Sequence, residues 1–166
     1  MSTPIIEGRK QPGWCGPASI VWAARNLGIE VTQEYMAQVM GTTYEHGTDW
    51  TNMVAGAEAI GLIGFWVIGM ELAELEDMRQ RGCQIILNWM DCDQCRDSDE
   101  REDGHYSVLR RHVDGVVELD DPSLEGRITT MRVSDFIRER WFDLDGDDEK
   151  KYRMGAMVVA KSKGVE

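Results

Sequence analysis

The sequence predicts an α+β domain in which helices come first and a mostly antiparallel sheet follows. Apolar residues recur every three or four positions over residues 15–60, which is the spacing of amphipathic helices. After Gly61, short apolar runs bounded by turn residues replace this pattern, and such runs are typical of buried strands. The dipeptide Asp114-Gly115 separates two of these runs and favours a two-residue hairpin turn. Helices that precede the strands, rather than alternating with them, indicate the α+β class.

Three helices are predicted in the first part of the chain. The first covers residues 15–28, with Pro17 in its first turn and Gly28 at its end. The second covers residues 32–40, and the third covers residues 48–60 after a turn at His46-Gly47. The pattern therefore places Cys15 at the N-terminal edge of the best-defined helix.

The second part of the chain is predicted to supply the sheet. Strands are expected over residues 65–68, 84–90, 105–113, 116–119, 127–131 and 155–160. Two further helices are expected, over residues 71–81 and 133–141. No repeat or linker interrupts this order, so residues 1–166 are expected to form a single domain.

The composition describes a soluble protein with a sizeable core, because 42% of the 166 residues are hydrophobic and 29% are charged. The longest nearly apolar stretch, residues 54–70, is broken by Glu58 and several glycines, which argues against a membrane span. The first residues lack the pattern of a signal peptide, so a cytoplasmic protein is expected. Four cysteines in such a chain are expected to be reduced thiols.

The net charge of −12 argues against nucleic acid or an anionic membrane surface as a partner. Most of this charge is concentrated in residues 91–103, with seven acids and two arginines, and in residues 143–149, with five acids and no base. Solvated loops and cation-binding loops both explain such segments.

Cys15 is a candidate nucleophile, because the free N–H groups and the dipole of a helix N-terminus favour a thiolate. A cysteine nucleophile also needs a base that exchanges a proton near neutral pH, and the chain offers His46, His105 and His112. His112 lies seven positions after His105, so on a regular strand it would face the opposite side. The spacing alone leaves a structural cysteine equally open.

The order of four short motifs makes the chemistry more specific. They are Gln11, Trp14-Cys15-Gly16-Pro17-Ala18-Ser19, Gly104-His105-Tyr106-Ser107-Val108 and Leu119-Asp120-Asp121-Pro122-Ser123. Together they resemble the bacteriocin-processing peptidases, cysteine peptidase family 39 of the papain-like clan. The resemblance spans residues 11–141 and implies a papain-like fold, a peptide or protein substrate and no cofactor.

The resemblance also implies a role for each matching residue. Cys15 would be the nucleophile, His105 the general base and then acid, and Asp121 the residue that orients the imidazole. From spacing alone, either Asp120 or Asp121 could lie beside His105. Gln11 would stabilise the oxyanion together with the backbone N–H of Cys15.

Two positions next to the candidate triad are expected to bind substrate. Trp14 precedes Cys15 in a loop and could line the cleft, and Gly104 precedes His105. The other tryptophans lie within predicted helices and strands, where core packing is the simpler explanation.

Other functions remain open at this point. A non-catalytic module of the same fold could bind a metal or a partner through Cys92 and Cys95, which have the spacing of a zinc knuckle. Asp143, Asp145 and Asp147 alternate as the acids of calcium loops do. The same triad could also transfer an acyl group to an amine. Gln11 lies only four residues before Cys15, a shorter spacing than is usual in the resembled family, and this favours the binding module. The presence of Cys15, His105 and Asp121 together favours the expected function, a stand-alone cysteine peptidase that hydrolyses a peptide amide bond through a thioester.

Overall fold

A computed structural model describes residues 4–91, 104–144 and 151–162 of the chain. Its helices are α1 (Cys15–Asn26), α2 (Gln33–Val39), α3 (Trp50–Ala59), α4 (Leu72–Gln80) and α5 (Val133–Asp135), the last continued by a π-helix (Phe136–Arg140). Its strands are β1 (Leu62–Ile68), β2 (Gln84–Met90), β3 (Gly104–Val113), β4 (Val116–Asp120), β5 (Ile128–Arg132), β6 (Phe142–Leu144), β7 (Lys151–Arg153) and β8 (Gly155–Lys161). The predicted α+β class is confirmed.

Six of the strands form one antiparallel sheet in the order β1-β8-β2-β3-β4-β5. Strand β3 lies between β2 and β4 and is antiparallel to both. The last residues of β2, the first of β3 and the last of β4 therefore lie side by side at one end of these strands. Residues that follow or begin these three strands are therefore brought close together.

The sheet separates two hydrophobic clusters. Helices α1, α2 and α3 contribute to the first, in which Trp22 and Tyr106 are buried. Helix α4 and the π-helix contribute to the second, which contains Trp89, Phe136 and Trp141. Helix α1 packs against β3 as well as against α2 and α3, and this packing fixes its N-terminus relative to the sheet.

The predicted hairpin between β3 and β4 is confirmed. Asp114 and Gly115 both have positive φ angles, 51° and 73°, as a type I′ turn requires. The pairing changes register between Leu109 and Arg111, so β3 contains a β-bulge.

Some expectations differ from the structure. The helix predicted over residues 133–141 is a short α-helical turn followed by a π-helix, and β6 and β7 form a small second sheet that the sequence pattern did not indicate. Trp50 is 40% exposed and stacks on Trp66, with ring centroids 5.8 Å apart, so the Trp50 ring lies at the surface, whereas Trp66 is half-buried against the first cluster. Over the described ranges, no helix is long and apolar enough to span a membrane.

Candidate active site

Cys15 is the first residue of α1, directly after the N-cap residue Trp14. The first turn of the helix contains no acidic residue, so its free N–H groups face no competing negative charge. Gly16 allows the close packing of this turn, because a Cβ there would approach the Thr48 hydroxyl to 2.8 Å and the Met53 sulfur to 2.9 Å. The Cys15 thiol is consequently held in a buried position, with 6% of the residue exposed.

His105 begins the buried part of β3 and lies between Cys15 and Asp121. Its imidazole interacts with the Cys15 thiol and lowers the pKa of that thiol, and its Nε2 lies 2.8 Å from Asp121 Oδ1. His105 and Asp121 are 5% and 0% exposed, so water is largely excluded from the bond between them. The structure thus brings Cys15, His105 and Asp121 together, with a direct hydrogen bond between the last two.

Asp121 follows β4 directly and is surrounded by donors on both carboxylate oxygens. Ser123 donates its backbone N–H (2.9 Å) and its hydroxyl (2.7 Å) to Oδ1, the local contact of an Asx turn. Thr129 donates its hydroxyl to Oδ2 at 2.8 Å, and the Arg127 Nε lies 3.4 Å from the same oxygen. Such a carboxylate is fixed in orientation and is stabilised as an anion.

The electrostatics of these three groups favour a thiolate beside an imidazolium. The pKa of the Cys15 thiol is lowered. Burial raises this pKa, but the interaction with His105, through a hydrogen bond and charge, outweighs the effect of burial. A backbone hydrogen bond of Tyr106 and the charge of Arg9 lower the pKa further. Burial lowers the pKa of His105, but hydrogen bonds to Asp121 and Cys15 raise it to about 9. Burial also raises the pKa of Asp121, yet His105 and Ser123 hold it well below its usual range.

Trp89 of β2 covers one side of the imidazole. It is the cross-strand partner of His105, its ring meets the imidazole edge-to-face with centroids 5.5 Å apart, and only 2% of the residue is exposed. Its indole Nε1 donates to the Ser107 hydroxyl at 3.1 Å, which fixes the ring. An apolar cover of this kind keeps water away from the histidine and its carboxylate partner.

Asp91 adds a second carboxylate next to this pair. One ligand atom from each of Asp91, His105 and Asp121 lies within 4.8 Å of the others, a spacing that deserves comparison with a metal site. The oxygens of Asp121, however, already accept bonds from His105, Ser123 and Thr129 and face Arg127. A cation would have to displace these donors, so the spacing alone does not make this cluster a metal site.

The other residues expected at the site have different surroundings. The Gln11 side chain is exposed and makes no hydrogen bond to a described residue, so its oxyanion role stays a prediction. Trp14 is half-buried beside Cys15. Gly104 is half-buried, and a Cβ there would overlap the Asp143 carboxylate. Glycine at position 104 is therefore explained by the packing of Asp143, whether or not it also contacts substrate.

Of the metal ligands predicted from the sequence, only Asp143 is among the described residues. Cys92, Cys95, Asp145 and Asp147 lie outside the described residues. Asp143 accepts a hydrogen bond from the Asn88 amide at 2.8 Å and thus connects β6 to β2.

Asp120, the alternative partner for His105, is occupied elsewhere. It accepts bonds from the Trp22 indole (3.1 Å) and from the Arg110 guanidinium (3.0 Å). Strand alternation sends the two neighbouring aspartates to different sides, and only Asp121 lies against the imidazole.

The remaining histidines do not belong to this chain of contacts. His46 is in an exposed turn. The expectation that His112 faces away from His105 was wrong, because the β-bulge in β3 shifts the alternation. His112 pairs with Val117 of the second cluster, on the side where Trp89 meets His105, but at the opposite end of the strand. Seven residues of strand, about 23 Å, separate the two.

Sequence reasoning did not identify Ser123, Arg127, Thr129 and Trp89 as parts of the site. Only Ser123 carried a signal, since serine two residues after aspartate favours an Asx turn. The others approach the site through strand pairing, because Trp89 is opposite His105 and the backbone N–H of Asp121 donates to the Arg127 carbonyl.

Comparisons with known proteins agree with this architecture. No protein-family model matches the sequence. An uncharacterized protein of Methanothermobacter thermautotrophicus is 31% identical over 118 residues, which cover 71% of this chain and 70% of that protein. A second uncharacterized protein, from Methanothermobacter marburgensis, is 26% identical over 75% of each chain.

Three solved structures show the same fold. The peptidase domain of Streptococcus ComA, a bi-functional ABC transporter, has a TM-score of 0.66 and 18% identity, and the match covers 94% of this chain and 97% of that chain. A double glycine motif protease from an AMS/PCAT transporter, solved in complex with the leader peptide, has a TM-score of 0.66 and 15% identity over 97% of this chain and 93% of that chain. A Bacillus anthracis protein described as a C39-like peptidase has a TM-score of 0.68 and 15% identity over 97% of this chain and 96% of that chain. The chain belongs to the family of the Methanothermobacter thermautotrophicus protein, and its fold is that of the C39 peptidase domains, as the four sequence motifs imply.

Proposed function

We propose that this protein is a cysteine peptidase that hydrolyses a peptide amide bond through Cys15, His105 and Asp121. The observation that carries the proposal is the buried group of thiol, imidazole and carboxylate, in which the imidazole lies 2.8 Å from the Asp121 carboxylate and acts on the Cys15 thiol. The papain-like C39 peptidase fold around this chain supports the same chemistry.

In the acylation half of the reaction, the Cys15 thiolate attacks the carbonyl carbon of the substrate amide. The backbone N–H of Cys15, at the start of α1, and the Gln11 side chain are the two donors to the resulting oxyanion that the resemblance implies. The His105 imidazolium gives its proton to the amide nitrogen, the C–N bond breaks and the amine leaves. A thioester on Cys15 and a neutral His105 remain.

In the deacylation half, neutral His105 accepts a proton from water as the water oxygen attacks the thioester carbon. The second tetrahedral intermediate collapses, the C–S bond breaks and the carboxylic acid product leaves. Asp121 stabilises the imidazolium that forms again, so the enzyme returns to the thiolate and imidazolium pair.

A peptide substrate is supported by the related fold, since one structural neighbour was solved in complex with a leader peptide. Cleavage after a double glycine is not part of the proposal. The nucleophile has to remain a free thiol, and Cys15 and Cys83 are both unpaired, which suits a reducing compartment such as the cytoplasm.

The test is the rate of Cys15 alkylation by iodoacetamide as a function of pH, with mass spectrometry to assign the modified cysteine. Because the pKa of Cys15 is lowered mainly by His105, wild-type Cys15 should react well below pH 8, and His105→Gln should remove this advantage. Cys83 provides a control within the same molecule, and His112→Gln provides a matched histidine variant at the far end of β3. The Cys83 rate serves as the internal reference, and His112→Gln should leave the Cys15 rate unchanged.

Turnover completes the test. Wild type incubated with a peptide library should release fragments that Cys15→Ala does not, and added hydroxylamine should yield a peptide hydroxamate from the thioester. If Cys15 reacts like an ordinary thiol with a pKa of about 8.5, the peptidase proposal is wrong and a non-catalytic binding module replaces it. If amines capture the acyl group in preference to water, the protein is an acyltransferase with the same triad.

A further inference from the structure

Arg127 has a defined place behind the candidate triad. The segment from Asp121 to Arg127 closes on itself, because the Asp121 N–H donates to the Arg127 carbonyl at 3.0 Å and the Arg127 N–H donates to the Leu124 carbonyl at 3.2 Å. The Arg127 side chain is 36% exposed, and its Nε lies 3.4 Å from Asp121 Oδ2. Within the described parts of the chain, Asp121 is the only acid at ion-pair distance from Arg127.

The two oxygens of Asp121 therefore have different partners. Oδ1 faces His105 and Ser123, whereas Oδ2 faces Thr129 and Arg127. The imidazole therefore contacts a carboxylate whose negative charge is partly balanced by Arg127 at its other oxygen.

We propose that Arg127 is a positioning residue that limits how strongly Asp121 stabilises the protonated imidazole of His105. This role rests on the proposed peptidase function. A histidine that must protonate a leaving amine is a weaker acid when its protonated form is overstabilised. A cation behind the carboxylate corrects this without breaking the hydrogen bond between Asp121 and His105.

The other charged groups around the imidazole do not supply this effect. Cys15 as a thiolate favours the imidazolium, as Asp121 does. Asp91 brings a further carboxylate, not a cation, within 4.8 Å of the imidazole. Arg9 acts on Cys15, whose pKa it helps to lower. Arg127 is accordingly the cation paired with the carboxylate that contacts His105.

The experiment is a titration of ¹⁵N-labelled histidine by NMR in the full-length protein, compared between wild type and Arg127→Gln. The chain has three histidines, so His105→Gln assigns the relevant signal and His46 and His112 are internal references. We expect the His105 pKa to rise by about 0.5 to 1 unit in Arg127→Gln, since the removed charge is half-exposed and screened. Arg127→Lys should restore most of the wild-type value.

A control is Arg111→Gln, which breaks a closer ion pair, 2.7 Å long, with Glu118 away from the triad and should leave the His105 titration unchanged. An unchanged His105 pKa in Arg127→Gln would overturn the proposal. A lowered pKa would also overturn it, because Arg127 would then only hold Asp121 in place. This titration needs no substrate, so a protein that cleaves no peptide would contradict the proposed function while the effect of Arg127 on His105 is still measured.

Discussion

Gly104 shows how a single position next to the nucleophile's base is determined by packing. The residue precedes His105 on β3, and the Asp143 carboxylate lies where a side chain at position 104 would begin. Asp143 is held there by the Asn88 amide of the neighbouring strand. The backbone that carries His105 is thus in direct contact with β6, and the absence of a Cβ is what allows it.

Gly104→Ala should lower the free energy of unfolding by about 1 to 3 kcal/mol, because the added methyl group overlaps the Asp143 carboxylate. It should also slow Cys15 alkylation near neutral pH, since the start of β3 has to shift. Urea denaturation and the iodoacetamide rate measure the two effects. In an Asp143→Ala background the methyl group has room, so the same substitution should cost much less, and equal costs in both backgrounds would contradict the packing explanation.

The candidate triad could be predicted from sequence because its members carry local motifs, whereas the groups that surround it carry almost none. Cys15 directly precedes Gly16 and Pro17 at a predicted helix start, and His105 begins a predicted strand. Trp89, Arg127 and Thr129 are ordinary strand or loop residues by sequence, and only the register of β2 with β3 and of β4 with β5 brings them to the site. Register depends on long-range pairing, which short motifs do not encode.

Helices and strands could be predicted where the spacing of apolar residues follows a single helical or strand period. Strand β2 has the predicted limits, and α1 begins at the predicted residue. The pattern failed at the β-bulge in β3, where one extra residue reverses the alternation before His112. It also failed after Phe136, where i to i+5 hydrogen bonding replaces the helical turn that apolar spacing predicts.

The β3-β4 hairpin provides a test of turn chemistry that is independent of the site. Gly115 has a φ angle of 73°, so Gly115→Ala should destabilise the protein by about 1 to 2 kcal/mol. Asp114→Asn is the matched control, because asparagine is also preferred in this turn. Thermal unfolding measures both variants.

The turn lies at the end of β3 opposite to His105. Cys15 alkylation of folded Gly115→Ala should therefore match that of wild type. A large loss of reactivity in this variant would mean that the two ends of the strand are coupled more strongly than their separation implies.

The stability of the whole domain depends on the same buried charges that the proposed chemistry uses. Asp121 is fully buried between the sheet edge and the segment that follows β4, and its charge is balanced by His105 and Arg127. Such a group stabilises the fold only while it is ionised and partnered, since an unpaired buried charge is strongly unfavourable. The fold and the candidate triad are thus linked through one carboxylate.

This linkage predicts how the effect of Asp121→Asn depends on pH. The pKa of Asp121 in the folded protein is lowered from 3.8, so its contribution to stability is present above pH 3.8 and is lost as the pH falls below that value. Above about pH 5 the variant should be less stable than wild type by about 3 to 5 kcal/mol, because His105 and Arg127 lose their partner. Asp121 is also the main group that raises the His105 pKa to about 9, so its stabilisation of the imidazolium is complete below pH 6.5 and declines as the pH rises towards 9. The difference measured by urea denaturation should therefore be larger at pH 5 than at pH 7. A difference that is no larger at pH 5 would mean that Asp121 does not hold the imidazole in its protonated form.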